Sequence, residues 1–270
     1  MNNWAPNKIL RVSEVLKTST RPLRVETDQG PALLKYVGNP QGEDALCSEL
    51  ISAELLKRLS IDSPEHSVLF IDSFERSDLG VKVRAGHAFL TKWEKSAITF
   101  SGSQELLQRL SNPEAITQLL VFDTWIRNTD RFVTGPSSRE ENLDNLLFVP
   151  AGRKVKMLVI DHSHAFTETT FEDGFHENWW QVQGLCGTLP NFAAFIKDDV
   201  LHSTLDMLSA FSRDELEDVV GRVPLDWGLS AVSRDRVVTG LMERALGMCE
   251  WLPREMLNQP PLGFEFGRRQ

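Results

Sequence analysis

The chain has 270 residues, 41% of them hydrophobic and 25% charged, and a formal net charge of -9. That composition suits a globular protein with a core large enough for one domain or two lobes. The acidic balance weighs against non-specific nucleic-acid binding, which needs a basic face, so no direct nucleic-acid partner is expected. Cys47, Cys186 and Cys249 are far apart, odd in number and without zinc spacing, as in a reducing compartment. The opening residues show no basic segment leading into an apolar run, and no apolar stretch approaches the ~20 residues of a membrane helix. A cytoplasmic protein with no membrane partner is expected.

In the first third, Ile9 to Leu16 alternates in part, as an opening strand would, and Thr18-Ser19-Thr20-Arg21-Pro22 breaks it. Leu23 to Thr27 alternates again, Asp28-Gln29-Gly30 signals a turn, and Ala32 to Val37 reads as a third strand. Lys35 lies inside that strand, either as an edge lysine reaching solvent or as a lysine on nucleotide phosphates. Asn39-Pro40-Gln41-Gly42 turns the chain into a helix pattern from about Glu43 to Leu59. At ~100° per residue, Leu46, Leu50, Ala53 and Leu56 share one face, with Glu49 on it and Glu54 at its margin. Unless it reaches solvent, a carboxylate on the packed side needs a counter-charge, and Lys35 is the nearest in sequence. A strand lysine paired to a helix glutamate is how kinases hold that lysine on the phosphates. Val68 to Ile71 and His87 to Trp93 read as further strands joined by a charged connector, Arg76 to Arg84. Residues 1–95 therefore read as an antiparallel sheet with one helix, followed by a small, polar lobe boundary.

In the middle, a short helix pattern runs from Ser103 to Leu110. Asn112 then reads as the cap of a longer helix with Pro113 at its first position. Ile116, Leu119, Leu120, Trp125 and Ile126 give this helix a broad apolar face ending near Arg127. Asp130 follows in a loop anchored by that rigid element, a placement that suits a catalytic group. A local ion pair with Arg131 is the plainer reading. After a polar loop over 134–141, Asn145 abuts the apolar strand Leu146 to Val149, with Asn142 as a competing position. Val155 to Ile160 returns as the second strand of a hairpin, and Asp161 ends it. Taken alone, Asp161 is a turn residue. Asp130, Asn145 and Asp161 in this order around one hairpin are the set that phosphoryl transfer needs: a carboxylate for the accepting hydroxyl, and an amide and a carboxylate for magnesium.

These residues carry a family resemblance. Asn128-Thr129-Asp130-Arg131, Asn145-Leu146-Leu147 and Ile160-Asp161-His162 resemble the HipA-like kinase family, especially its short branch without an N-terminal extension. They are similar, more remotely, to phosphoinositide 4-kinases. Lys35, Gly38-Asn39-Pro40-Gln41-Gly42, Ala45-Leu46 and Glu49 extend the likeness from about Arg21 to Phe166. The resemblance implies an α+β, two-lobed protein-kinase-like fold: an antiparallel N-lobe over 1–95 and a mainly helical C-lobe over 96–270, binding ATP and Mg2+. It implies Lys35 on the phosphates, Glu49 orienting it, Asp130 as catalytic base, and Asn145 and Asp161 as metal ligands. It also implies a protein serine or threonine acceptor, and an antitoxin-like or regulatory protein partner. The nucleotide-covering loop Thr18-Ser19-Thr20 departs from the family in lacking glycines, and Ser19 there becomes a cofactor-contacting residue and a target for autophosphorylation. The loop between Asp130 and Asn145 is longer than the family's, and Ser163 stands where glycine is common.

In the last third, Trp179-Trp180 reads as core or as a partner patch. His162 and His164 would lie on one side of a strand and support Asp161, or begin a metal site that has no third ligand at convincing spacing. Helix patterns follow at Leu201 to Phe211, Arg213 to Val220 with Ser212 as cap, and Arg234 to Leu252 with Ser233 as cap. The tail after Pro253 is rich in Pro, Gly and Arg. Besides a protein kinase, the set admits a lipid or small-molecule kinase, or a non-catalytic nucleotide-binding adaptor.

Overall fold

The computed structural model describes residues 4–100, 102–134, 139–141, 145–166, 170–172, 179–187 and 190–257, with backbone alone at 132–134, 139–141 and 190. Its first part holds β1 (Ile9–Val15), β2 (Leu23–Thr27), β3 (Gly30–Lys35), α1 (Glu43–Arg58) and β4 (His66–Ile71). The small hairpin β5 (Phe74–Arg76) and β6 (Val81–Val83) and the strand β7 (Gly86–Lys92) follow. The main sheet has the order β1-β2-β3-β7-β4 and is antiparallel throughout. Gly30 at φ 103° takes up the tight β2–β3 turn, a conformation that glycine adopts without strain. β3 lies in the middle of the sheet, so Lys35 is not an edge lysine.

Side chains alternate across β3 and β7, and each face has its own core. Leu34 and Leu90 pack with Val81 and Val83 of the hairpin, whereas Phe89 packs with Leu46, Leu50 and Leu56 of α1. The expected charged connector is therefore a hairpin whose two valines cover the outer face. The flanking charges masked this, because alternation over three residues is too short to stand out. From the hairpin, Arg76 Nη1 donates to Val12 O of the edge strand β1 at 3.1 Å.

The second part holds β8 (Ile98–Thr99), α2 (Gln104–Gln108), α3 (Glu114–Trp125), β9 (Phe132–Thr134), β10 (Arg139–Glu141), β11 (Leu146–Ala151) and β12 (Lys154–Val159). The last two form the expected hairpin, in register from Leu146↔Val159 to Ala151↔Lys154. β9 and β10 pair antiparallel at the ends of the expected polar loop. Asn112 does not cap α3 with its side chain. Its amide instead donates to Met157 O at 2.9 Å and accepts from Met157 N at 2.9 Å, docking α3 on β12.

Three helices close the fold: α4 (Asp198–Ser209), α5 (Arg213–Gly221) and α6 (Ala231–Leu257). Ser212 heads α5 in a full capping box with Glu215. The cap of α6 is Ser230, whose Oγ accepts from Ser233 N at 3.1 Å, while Ser233 is buried and donates to Phe171 O. α6 runs through Pro253 to Leu257, and the rest of the tail lies outside the described residues. Trp179 is core: it lies on Gly240 of α6, where a Cβ would come within 2.2 Å of the indole. Among the described residues no helix is long and apolar enough to cross a membrane.

Replacing Ser212 with alanine removes one half of the capping box and should lower the unfolding free energy by about 1 kcal/mol, read as an earlier urea midpoint at unchanged slope.

Candidate active site

α3 is buried on all sides, yet it carries a carboxylate, Asp123, with no exposed surface. A buried charge demands a partner, and the chain supplies one eight residues later. Arg131, equally buried, donates from Nε to Asp123 Oδ2 at 2.5 Å. The same guanidinium donates from Nη1 to Asn145 O at 2.6 Å and from Nη2 to Ile160 O at 3.4 Å. Asn128 closes the turn between them: its backbone N donates to Asp123 O at 2.8 Å and its Nδ2 to Asp123 Oδ1 at 3.1 Å. Gly187 lies against this carboxylate so closely that a Cβ would meet Asp123 Oδ2 at 2.4 Å. The local Asp130–Arg131 pair weighed from the sequence is thus replaced by a buried Asp123–Arg131 pair.

With Arg131 turned inward, Asp130 is half-buried, and Asn145 Nδ2 donates to its Oδ2 at 3.0 Å. Asn142 lies outside the described residues. Asp161 follows β12 in the left-handed region at φ 59°, strained backbone of the kind found at functional sites. Its Oδ1 accepts from Lys35 Nζ at 2.9 Å and from Ser163 Oγ at 3.1 Å. Lys35 also donates to Glu49, which reaches it from α1 as the helix phase predicts. Lys35 and Glu49 are both buried.

The two histidines part company, because β12 has ended before them. His162 turns inward, its Nε2 3.6 Å from Asp123 Oδ1 and its ring edge-on to Phe122. His164 meets Gln41 Nε2 at 2.8 Å. Of the two kinds of support expected for Asp161, packing or hydrogen bonding, neither histidine supplies a hydrogen bond; its partners are Lys35 and Ser163. Ser19 is exposed in a turn closed by the bond from Arg21 N to Thr18 O at 3.0 Å.

One lysine serving two carboxylates sets the electrostatics. Burial would lower the Lys35 pKa, but the charges of Asp161 and Glu49 outweigh it and hold the ammonium above its usual range. Burial would raise Asp161, yet Lys35 and the hydrogen bonds to Glu49 and Ser163 keep it well below the usual carboxylate range. Glu49 is the group left short: burial, with repulsion from Asp161, overrides Lys35 and raises it to about 7. Asp123 stays low because Arg131 and His162 overcome its burial, and burial pushes His162 below the ordinary histidine value.

A cavity of about 440 Å³ opens at the Lys35 cluster; neither Asp123 nor Asp130 is among the residues that line it. Lys35, Glu49, Asn145 and Asp161 form its polar end, and Leu16, Pro22, Leu33, Phe89, Leu147 and Ile160 line its apolar part. Thr18 and Thr20 line it; Ser19 between them does not. Another hollow, of about 500 Å³ beside Trp93 and Lys95, contains none of the expected site residues. The polar end offers a cation for phosphates and hard oxygens of the kind magnesium takes, and the apolar part offers flat surface for a base, so the residues fit a metal–nucleotide. By donating its amide nitrogen to Asp130, Asn145 keeps its amide oxygen for a cation.

An antiparallel sheet with a lysine–glutamate pair, set over a helical part that carries a carboxylate loop and a strand-end aspartate, is a protein-kinase-like fold. The model of the HipA-like kinase family matches residues 15–249, and the chain belongs to that family. It is a kinase. No curated protein sequence matches it. Among solved structures it is similar to the Helicobacter pylori proinflammatory kinase CtkA, with 10% identity, a TM-score of 0.58, and coverage of 94% of this chain and 97% of that one. HipA from the toxin–antitoxin system of Shewanella oneidensis MR-1, solved with HipB and operator DNA, matches at 12% identity over 96% of this chain and 70% of that one, TM-score 0.46. LicA in complex with AMP matches at 12% identity over 90% and 92%, TM-score 0.32. The expectation that nucleic acid plays no direct part is not borne out by these comparisons.

Arg131→Met would leave Asp123 buried without its counter-charge and should cost roughly 3–5 kcal/mol in urea unfolding. A second outcome concerns pH. Glu49 titrates at about 7 when folded, above its ordinary 4.5, so the folded state binds more protons between those values. Stability gained from Glu49 is full below pH ~4.5 and is lost as pH rises toward ~7. The stability difference between wild type and Glu49→Gln, measured by urea unfolding at stepped pH, should therefore shift against wild type across that window. A difference independent of pH would contradict the assignment.

Proposed function

We propose that the chain is an ATP- and magnesium-dependent kinase of protein serine or threonine, with 1–95 and 96–270 as its two lobes. The observation that carries this reading is the joining of Lys35, Glu49, Asn145 and Asp161 around one cavity, with Asn145 hydrogen-bonded to Asp130. In this reading Asp130 accepts the proton of the substrate hydroxyl as the hydroxyl oxygen bonds to the γ-phosphorus of ATP. The bond from that phosphorus to the β,γ-bridging oxygen breaks, the electron pair leaving with ADP. Asn145 and Asp161 hold magnesium, which when bound neutralises phosphate charge. Lys35, kept in place by Glu49, exchanges its bond to Asp161 for the phosphates and offsets the charge that builds there during transfer, the largest contribution expected of such a site. Thr18 and Thr20, which line the cavity, cover the nucleotide, while Ser19 faces away from it and, like Thr18, is exposed and open to phosphorylation. Family membership is the ground for proposing an antitoxin-like or regulatory protein partner and a cytoplasmic setting.

Transfer of radiolabelled phosphate from ATP, first to the chain itself and then to a cell lysate, tests the reading. Asp130→Ala should lower the transfer rate by about 10²–10⁴-fold while nucleotide still raises the melting temperature. Undiminished transfer would remove Asp130 as the base, and no thermal shift with ATP in the wild type would remove the nucleotide site.

A further inference from the structure

The Lys35–Glu49 pair survives only while α1 stays against the sheet, yet α1 begins at Gly42 without a side-chain cap. Besides its packing on Phe89 and the contacts of Glu43 with Arg84 and of Ser48 with Ala165 O, it is held from the far end of the chain. Glu54, one and a half turns beyond Glu49, is nearly buried and accepts from Arg222 Nη1 at 3.2 Å, while His66 Nε2 lies 3.0 Å from its other oxygen. One turn further along α1, Arg58 pairs with Asp218, which also accepts from Arg222 at 3.0 Å. Glu54 and Arg58 thus face Arg222 and Asp218 across two charge pairs, each pair one helical turn from the next, with α1 and α5 running in opposite directions. Beneath the charges, Ile51 and Leu55 share a core with Leu216, Val219 and Val220.

The turn after α5 grips the sheet as well. Asp226 accepts from the backbone N of His87 at 2.7 Å and lies 2.7 Å from its ring Nδ1, and Trp227 Nε1 donates to His87 O at 2.8 Å. His87 is on β7, the strand paired to β3 at Lys35↔Phe89. One segment, 213–227, therefore holds both the helix that carries Glu49 and the sheet that carries Lys35.

We propose that this segment is a built-in brace and that Arg222 is a positioning residue for phosphate transfer, acting through Glu54 on the placement of Glu49. The proposal rests on the phosphotransferase reading above. Kinases that leave this helix free need an outside event to bring it in, whereas this chain carries its own clamp and stands ready without one. Lys35 acts most on charge that develops during transfer, so loosening α1 lowers kcat more than it weakens nucleotide binding.

The test compares wild type, Arg222→Glu and Arg222→Lys in the full chain, by ATP turnover, nucleotide dissociation constant and backbone amide exchange. Arg222→Glu should lower kcat about tenfold with the dissociation constant changed less than about threefold. It should also speed exchange across 43–58 by about tenfold without changing that of α3, and Arg222→Lys should restore both. A variant that melts earlier but keeps the wild-type kcat and α1 exchange overturns the brace and leaves Arg222 a stabilising residue only. Should Arg222→Glu fail to fold, Asp218→Asn, which removes the partner of Arg58, is read by the same criteria. A wild type without transferase activity would sink the functional reading, and the exchange comparison would still decide for or against the brace.

Discussion

The geometry of the site depends on one guanidinium. Arg131 is buried, and burial without compensation would be prohibitive, so its charge and its donors need partners. It finds them in the carboxylate of Asp123 and the carbonyls of Asn145 and Ile160. Those acceptors belong to the end of α3, the start of β11 and the end of β12. Asn145 is itself one of the groups assigned to phosphate transfer, Ile160 precedes Asp161, and Arg131 follows Asp130. A shift of any one segment would leave a charged or polar atom unpaired in the core, so the three are fixed relative to one another. Asp130, next in the chain to Arg131, is placed by the same constraint, since its neighbour can face only inward.

Much of this was legible in the sequence, and the reason is periodicity. The 3.6-residue phase of α1 put Glu49 among leucines, the apolar strand of β3 enclosed Lys35, and the paired runs around Pro150 announced the hairpin that presents Asn145 and Asp161. Asp123 was passed over although a signal existed: it is the one carboxylate in the run from Leu119 to Ile126. A local pair of Arg131 with Asp130 is an alternative the sequence offers because the two are adjacent in the chain, but adjacency in the chain is not adjacency in space. Asn112 misled for a related reason. Asparagine before proline is a good helix cap, but the same amide matches the backbone of a strand 45 residues away, and that tertiary pairing won. The brace between α1 and α5 had no sequence signature, since Glu54, Arg58, Asp218 and Arg222 look like ordinary helix-surface charges until the helices meet.

The polar end of the cavity holds two acids and one base within hydrogen-bonding reach. Such a cluster cannot be neutral with all three ionised, and the burden falls on Glu49, the member farthest from solvent. Asp161 keeps its charge and remains partly open to the cavity, while Glu49 is enclosed. The division follows from position: the acid open to the cavity stays ionised, and the enclosed acid carries the strain of being buried.

The contact of Arg76 with Val12 O bears on how this protein can meet others. An outermost strand with unsatisfied carbonyls is a template on which a foreign strand can be laid, by a partner or by another copy during misassembly. Here the rim is irregular, with register shifts along the β1–β2 ladder, and a guanidinium from the neighbouring hairpin already occupies one of its acceptors. A polypeptide seeking to extend the sheet on this flank would first have to dislodge a charged side chain and then match a bent, uneven edge. Recognition on this side therefore has to proceed through side chains.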